Sequence, residues 1–233
     1  MKKSFRLLTI AFGLAVIGIT VSCNKDADVT PDLQINSFAV APAPVGDSVN
    51  FTATGTKGYL KTLSSGVYGA RNFHQGTVPS EVDTSQWRNP ASTYYYNLNI
   101  NDGGTSANYD FLFTGTANSS FTVNTATYDL FYVNTTFNAV VNTTPTGRVA
   151  IPLGVAASNS TSGSGDPSSA GWYIYNISNH IMSSFQPRTY ILVNKGTGSN
   201  WKIKLNSVYW NGSPNSSFAA TNFPFMSFDY SEL

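Results

Sequence analysis

The chain reads as an all-β protein, a single antiparallel β-sandwich or flattened barrel, on three observations. Charged residues are only 11% of it and aromatic residues 14%. That balance suits strands and turns, because exposed helix faces favour Glu, Lys, Gln and Ala. From Trp201 the side chains alternate: Trp201, Ile203, Leu205, Ser207 and Tyr209 share one face, while Lys202, Lys204, Asn206, Val208 and Trp210 share the other. A period of two marks a half-buried strand. The roughly 200 residues beyond position 35 are ample for one core.

The chain opens with a different composition. Lys2, Lys3 and Arg6 lead into an apolar run from Leu7 to Val21, and Ser22 precedes Cys23. Residues 1 to 22 thus have the form of a bacterial signal peptide, too short for a lasting membrane span of about 20 apolar residues. Cys23 is the one cysteine of the chain. An unpaired thiol in an oxidising compartment invites side reactions, so its position points to lipidation at Cys23 and excludes an internal disulfide. Residues 23 to 35 then read as the lipidated cysteine and a flexible tether, and 36 to 233 as the β domain. Asn24, Lys25, Asp26, Ala27 and Asp28 resemble an export signal for the outer membrane and the cell surface.

Strand signals follow in order. Ile35, Phe38 and Val40, then Val49, Phe51 and Ala53, alternate about an Ala-Pro-Ala-Pro-Val-Gly-Asp turn and suggest an opening hairpin. Residues 64 to 92, with Gly66, Gly69, Gly76, Pro79 and Pro90, are the least patterned and read as a long irregular loop carrying His74 and Trp87. Strands are expected at 94–100, 109–115, 120–124, 128–133, 137–141 and 148–153. Residues 154 to 170 are small and polar and read as a flexible insertion. A buried tryptophan turn at Trp172 and a loop at 176–187 precede a hairpin joining 190–194 to the strand from Trp201 through the Gly196 and Gly198 turn. One more strand closes the chain.

Removing Lys2, Lys3 and Arg6 leaves ten basic residues against 12 acidic ones, a net charge of −2. No basic stripe survives to neutralise phosphates, which argues against nucleic-acid binding. No metalloprotease His-Glu pattern, phosphate-cradling loop, serine-hydrolase elbow or cysteine pair is present, so no enzymatic activity is expected. Asn97, Asn99, Asn101, Asp102 and Gly103 carry too few carboxylates for a calcium loop and read as a turn.

Two blocks carry a family likeness. One is Gly171-Trp172-Tyr173-x-Tyr175-Asn176, His180-x-Met182, Arg188-Thr189-Tyr190-Ile191-Leu192-Val193, a Gly turn, Trp201-Lys202-Ile203-Lys204 and Ser207-x-Tyr209. The other is Tyr109-Asp110-Phe111-Leu112-Phe113-Thr114-Gly115-Thr116, preceded by Tyr94, Tyr95, Tyr96 and Leu98 and the Asp102-Gly103-Gly104 turn. Together they resemble HmuY-type haem-binding lipoproteins over roughly residues 90 to 230. Tyr109 stands where that family has tryptophan, and residues 116–124 lack its glycine pair.

The resemblance implies a mostly β, non-catalytic lipoprotein that holds haem between axial side chains and delivers it to an outer-membrane transporter. Haem iron takes His, Met, Cys or Tyr. The axial candidates here are His74, His180, Met182 and Met226. Tyr132, Tyr173 and Tyr175 are candidates for stacking on the porphyrin, and Arg188 and Lys195 for its propionates. His180 and Met182 would share a face of an extended segment, which keeps the pair from opposite sides of one iron. The alternative is a family relative that binds a glycan through Trp87, Trp172 or Trp210, or a partner protein, instead of haem.

Overall fold

A computed structural model describes residues 40–76, 92–162, 165–214 and 224–233. The chain divides into Met1–Asn36 and a compact unit, Ser37–Leu233. The leader, Cys23, the whole tether, Ile35, Phe38 and Trp87 lie outside the described residues.

The protein is all-β. The strands are β1 (Ser48–Asn50), β2 (Thr56–Ser64), β3 (Val67–Gln75), β4 (Tyr94–Asn97), β5 (Asp102–Gly103), β6 (Phe111–Thr114), β7 (Ser120–Val123) and β8 (Tyr128–Val133). They continue as β9 (Val149–Ile151), β10 (Asn159–Ser162), β11 (Tyr173–Asn176), β12 (Ile181–Ser184), β13 (Thr189–Asn194), β14 (Trp201–Ser207) and β15 (Met226–Glu232). An eight-stranded sheet runs β1-β2-β3-β15-β14-β13-β8-β9, a four-stranded sheet β5-β4-β6-β7, and a three-stranded sheet β10-β11-β12. Of the named pairings only β10–β11 is parallel.

Alternation within each strand decides the core. Leu60, Phe73, Phe228, Tyr230, Ile203, Leu205, Tyr190 and Leu192 of the large sheet are buried against Tyr94, Tyr96, Phe111, Phe113 and Phe121 of the four-stranded sheet. The centre is aromatic: the Phe228 ring lies 5.0 Å from Tyr96, 5.3 Å from Phe111, 5.6 Å from Phe113 and 6.0 Å from Phe73. The two sheets pack face to face as a sandwich. On the other face of the large sheet Val133 and Ile191 bury Val140, flanked by Phe131, Val193 and Leu233.

The β13–β14 hairpin has the expected pairing, with Tyr190 opposite Ile203 and Leu192 opposite Trp201. Strands also stand at or within the expected segments near 94, 111, 120, 128 and 149. Four expectations need correction. The stretch 67–75 is β3, a strand of the large sheet and not loop. Gly66, at φ +71°, makes a tight β2–β3 turn, and Gly69 lies within the strand because the Arg71 guanidinium crosses it. A Cβ at Gly69 would stand 2.6 Å from Arg71 Nη1, which reaches on to Phe228 O while Nη2 meets Asp229 Oδ1 at 2.6 Å.

The opening hairpin is built differently as well. β1 pairs with β2, and the buried Val40 donates its N–H to Ile100 O instead. Residues 137–139 form a 3-10 turn, not a strand. Lys202 Nζ donates to Val140 O, which the turn leaves open, and also to Phe137 O, which already accepts from Val140 N. Finally, the 154–170 segment is partly structured: Ala157 exchanges both backbone bonds with Phe121, and β10 follows.

Candidate functional site

The segment expected as loop at 176–187 contains the β11–β12 hairpin. Asn176 Oδ1 accepts from Ser178 N and Asn179 Oδ1 from Ile181 N, which closes the turn locally. His180 ends that turn at φ +58°, a conformation uncommon outside Gly and Asn. Its ring is exposed, and Nδ1 lies 2.5 Å from the Tyr175 hydroxyl.

Tyr175 and Met182 stand directly opposite each other across the hairpin. The Met182 N–H points away from Tyr175 and donates to Tyr209 Oη at 2.9 Å. Tyr209 therefore ties the hairpin to the chain that leaves β14. Trp210, next in the chain, is 45% exposed and meets Phe225 edge-on at 5.0 Å. Phe225 in turn lies 5.1 Å from the His74 ring. Asn72 and Asn211, both at positive φ, hold the Trp210 turn through Asn211 N to Asn72 Oδ1 and Asn72 Nδ2 to Asn211 Oδ1. The result is two aromatic groups, Tyr175 and Tyr209 beside His180 and Met182, and Trp210 and Phe225 beside His74, which the chain from Tyr209 to Trp210 links.

The four do not stand alike. His74 is 2% exposed, with Nε2 at 3.1 Å from Gly76 O and Nδ1 at 2.6 Å from the Tyr94 hydroxyl and 3.1 Å from Pro224 O. Burial lowers its pKa more than the two carbonyls and Lys57 alter it. The neutral ring satisfies two of these three contacts if Nε2–H donates to Gly76 O and Tyr94 O–H donates to Nδ1, which then makes no bond to Pro224 O. Both nitrogens of His74 are thus engaged inside the fold. Met226 is fully buried opposite Phe73 as core. His180 and the half-buried Met182 are the two that reach solvent.

The proposed porphyrin and propionate contacts scatter. Tyr132 is buried and donates to Ser168 O. Tyr173 lies beside Trp172 with its hydroxyl 3.3 Å from Ser119 Oγ, whereas Tyr175 stands beside His180. Arg188 is buried between the Tyr132 and Phe185 rings. Its five N–H groups reach Asn134 Oδ1 and the Pro167, Ser169 and Gly171 carbonyls. With every donor taken, Arg188 fastens the 165–171 segment and does not meet a propionate. Lys195, paired with Asp129 at 3.2 Å, lies at the far end of β13, about 20 Å of extended chain away. Trp172 is 2% exposed with Nε1 bonded to Ser119 O, which removes it as a glycan platform.

Tyr209, Phe225 and the Asn72–Asn211 pair were not foreseen as site residues. Among the described residues no three His, Cys, Asp or Glu side chains gather as a metal cluster. Comparison of the chain with protein-family models, curated proteins and solved structures finds no match.

Proposed function

We propose that the chain is an outer-membrane lipoprotein, anchored through Cys23, that captures haem and passes it to an outer-membrane uptake system without catalysis of its own. One observation carries the reading: an exposed histidine has its Nδ1 engaged by the phenol of Tyr175, which stands opposite the half-buried Met182. Haem requires an imidazole or thioether for its iron and an apolar, aromatic wall for its ring. His180 is the axial ligand of this reading. Donation of Nδ1–H to Tyr175 Oη directs the lone pair to Nε2, the arrangement common to metal-bound histidines. Tyr175, whose ring centroid lies 5.9 Å from that of the imidazole, supplies the wall on this side. Met182 shares the face of Tyr175, so it lines the site and does not oppose His180 across the iron.

The test is a haemin titration of residues 24–233 followed in the Soret band. Saturable one-to-one binding is expected, weakened at least tenfold in His180→Ala and only a few fold in Met182→Ala. Binding no stronger than to an unrelated control protein would overturn the reading. The glycan alternative gains support from the exposed, rigidly backed Trp210; a Trp210-dependent fluorescence change with oligosaccharides and none with haemin would favour it.

A further inference from the structure

The arrangement that keeps His180 and Met182 from opposite faces of a porphyrin suits a small ion that takes both from one side. In an antiparallel pair, residues whose N–H groups point outward are those whose Cα atoms approach most closely, to about 4.5 Å. Tyr175 and Met182 are such a pair, since the Met182 N–H goes to Tyr209. Their side chains share one face of the hairpin. His180 lies in the turn, where strand alternation does not apply, but its ring is drawn to the same face by the 2.5 Å contact with the Tyr175 hydroxyl.

Two further features set this histidine apart. It holds a positive φ, and backbone strain of that kind collects at ligand clamps. Its Nδ1 is held at 2.5 Å by the Tyr175 hydroxyl, and in the tautomer whose Nδ1–H donates there the contact orients the imidazole with Nε2 as the ligand atom. Methionine adds a flexible, polarisable thioether.

We infer that Tyr175, His180 and Met182 form a binding site for monovalent copper, with His180 Nε2 and Met182 Sδ as ligands and Tyr175 as the positioning residue. The donor set selects the ion. Calcium and magnesium take oxygen ligands, and structural zinc takes four Cys, His or carboxylate groups. A thioether and an imidazole without carboxylates match soft Cu(I). Copper binds and leaves as Cu(I), so no electron is exchanged.

The inference does not depend on haem capture, although both use His180. The experiment is an anaerobic competition in detergent between the chain beginning at Cys23 and a chromophoric Cu(I) chelator, with His180→Gln, Met182→Leu and Tyr175→Phe alongside. The parent is expected to withdraw one equivalent of copper. His180→Gln and Met182→Leu each lose at least tenfold in affinity, with urea midpoints held near the parent's because Leu keeps the packing volume. Tyr175→Phe, which leaves both ligands in place, loses about tenfold through its effect on the imidazole. A chelator that keeps its copper against the parent, or variants that bind as well as the parent, overturns the site. Haemin titration of the same proteins separates the two readings: haem without copper removes this one alone, and copper without haem removes the other alone.

Discussion

His74 couples the fold to pH through one imidazole. Burial holds its folded pKa below the ordinary value of 6.5, whereas the unfolded chain takes up the proton in the ordinary range. Below about pH 6.5 the unfolded state therefore binds more protons, and stability falls with pH. The contribution is complete above the unfolded pKa and is lost as pH drops through the folded one. Asp110 has the opposite sign, since burial raises its carboxyl above 3.8 and makes the folded state the better proton binder. That effect is common to parent and variant and cancels between them. His74→Gln should be less stable than the parent at pH 7.5, with a flatter decline in urea midpoint between pH 7.5 and 5.5. Equal slopes in the two proteins would show that His74 is not the group that titrates.

At the scale of elements, Arg188 fastens the start of β13 to the 165–171 segment with five donors and two ring contacts. Lysine has three donors and no plane to stack, so Arg188→Lys should cost about 2–4 kcal/mol in chemical denaturation. A change below about 0.5 kcal/mol would mean that the segment is held by other bonds. Elements whose own residues alternate were legible from sequence, and β13 and β14 are the clearest. β3 was not, because its glycines resemble loop punctuation. Gly69 is there for Arg71 to cross, a requirement set by Asp229 on a strand 160 residues away. Residues 137–141 misled in the other direction: Phe137, Ala139 and Val141 alternate, yet the buried residues are Phe137 and Val140, three apart, and Val141 is 74% exposed. The same distinction governs the site. The nearness of His180, Met182 and Tyr175 follows from local spacing. Trp210 and Phe225 meet where the chain leaving β14 and the chain entering β15 stay paired, with Phe225 N donating to Val208 O.

On the scale of the whole molecule, one continuous core joins the large sheet to the four-stranded sheet, with Phe228 at its centre. Neither face can lose its partner without exposing the same rings, so unfolding of 37–233 should be a single transition, with near- and far-ultraviolet circular dichroism coincident in urea. Phe228→Ala should move both signals together, by about 3–5 kcal/mol. Separate midpoints would show that the sheets unfold independently. The strand order has a consequence for the life of the chain before it is folded. β15, the last strand in sequence, lies between β3 and β14 in the middle of the large sheet. A growing polypeptide that stops short of residues 226–232 has two unpaired inner edges and no Phe228. Closure of the sheet therefore waits until those residues have left the ribosome.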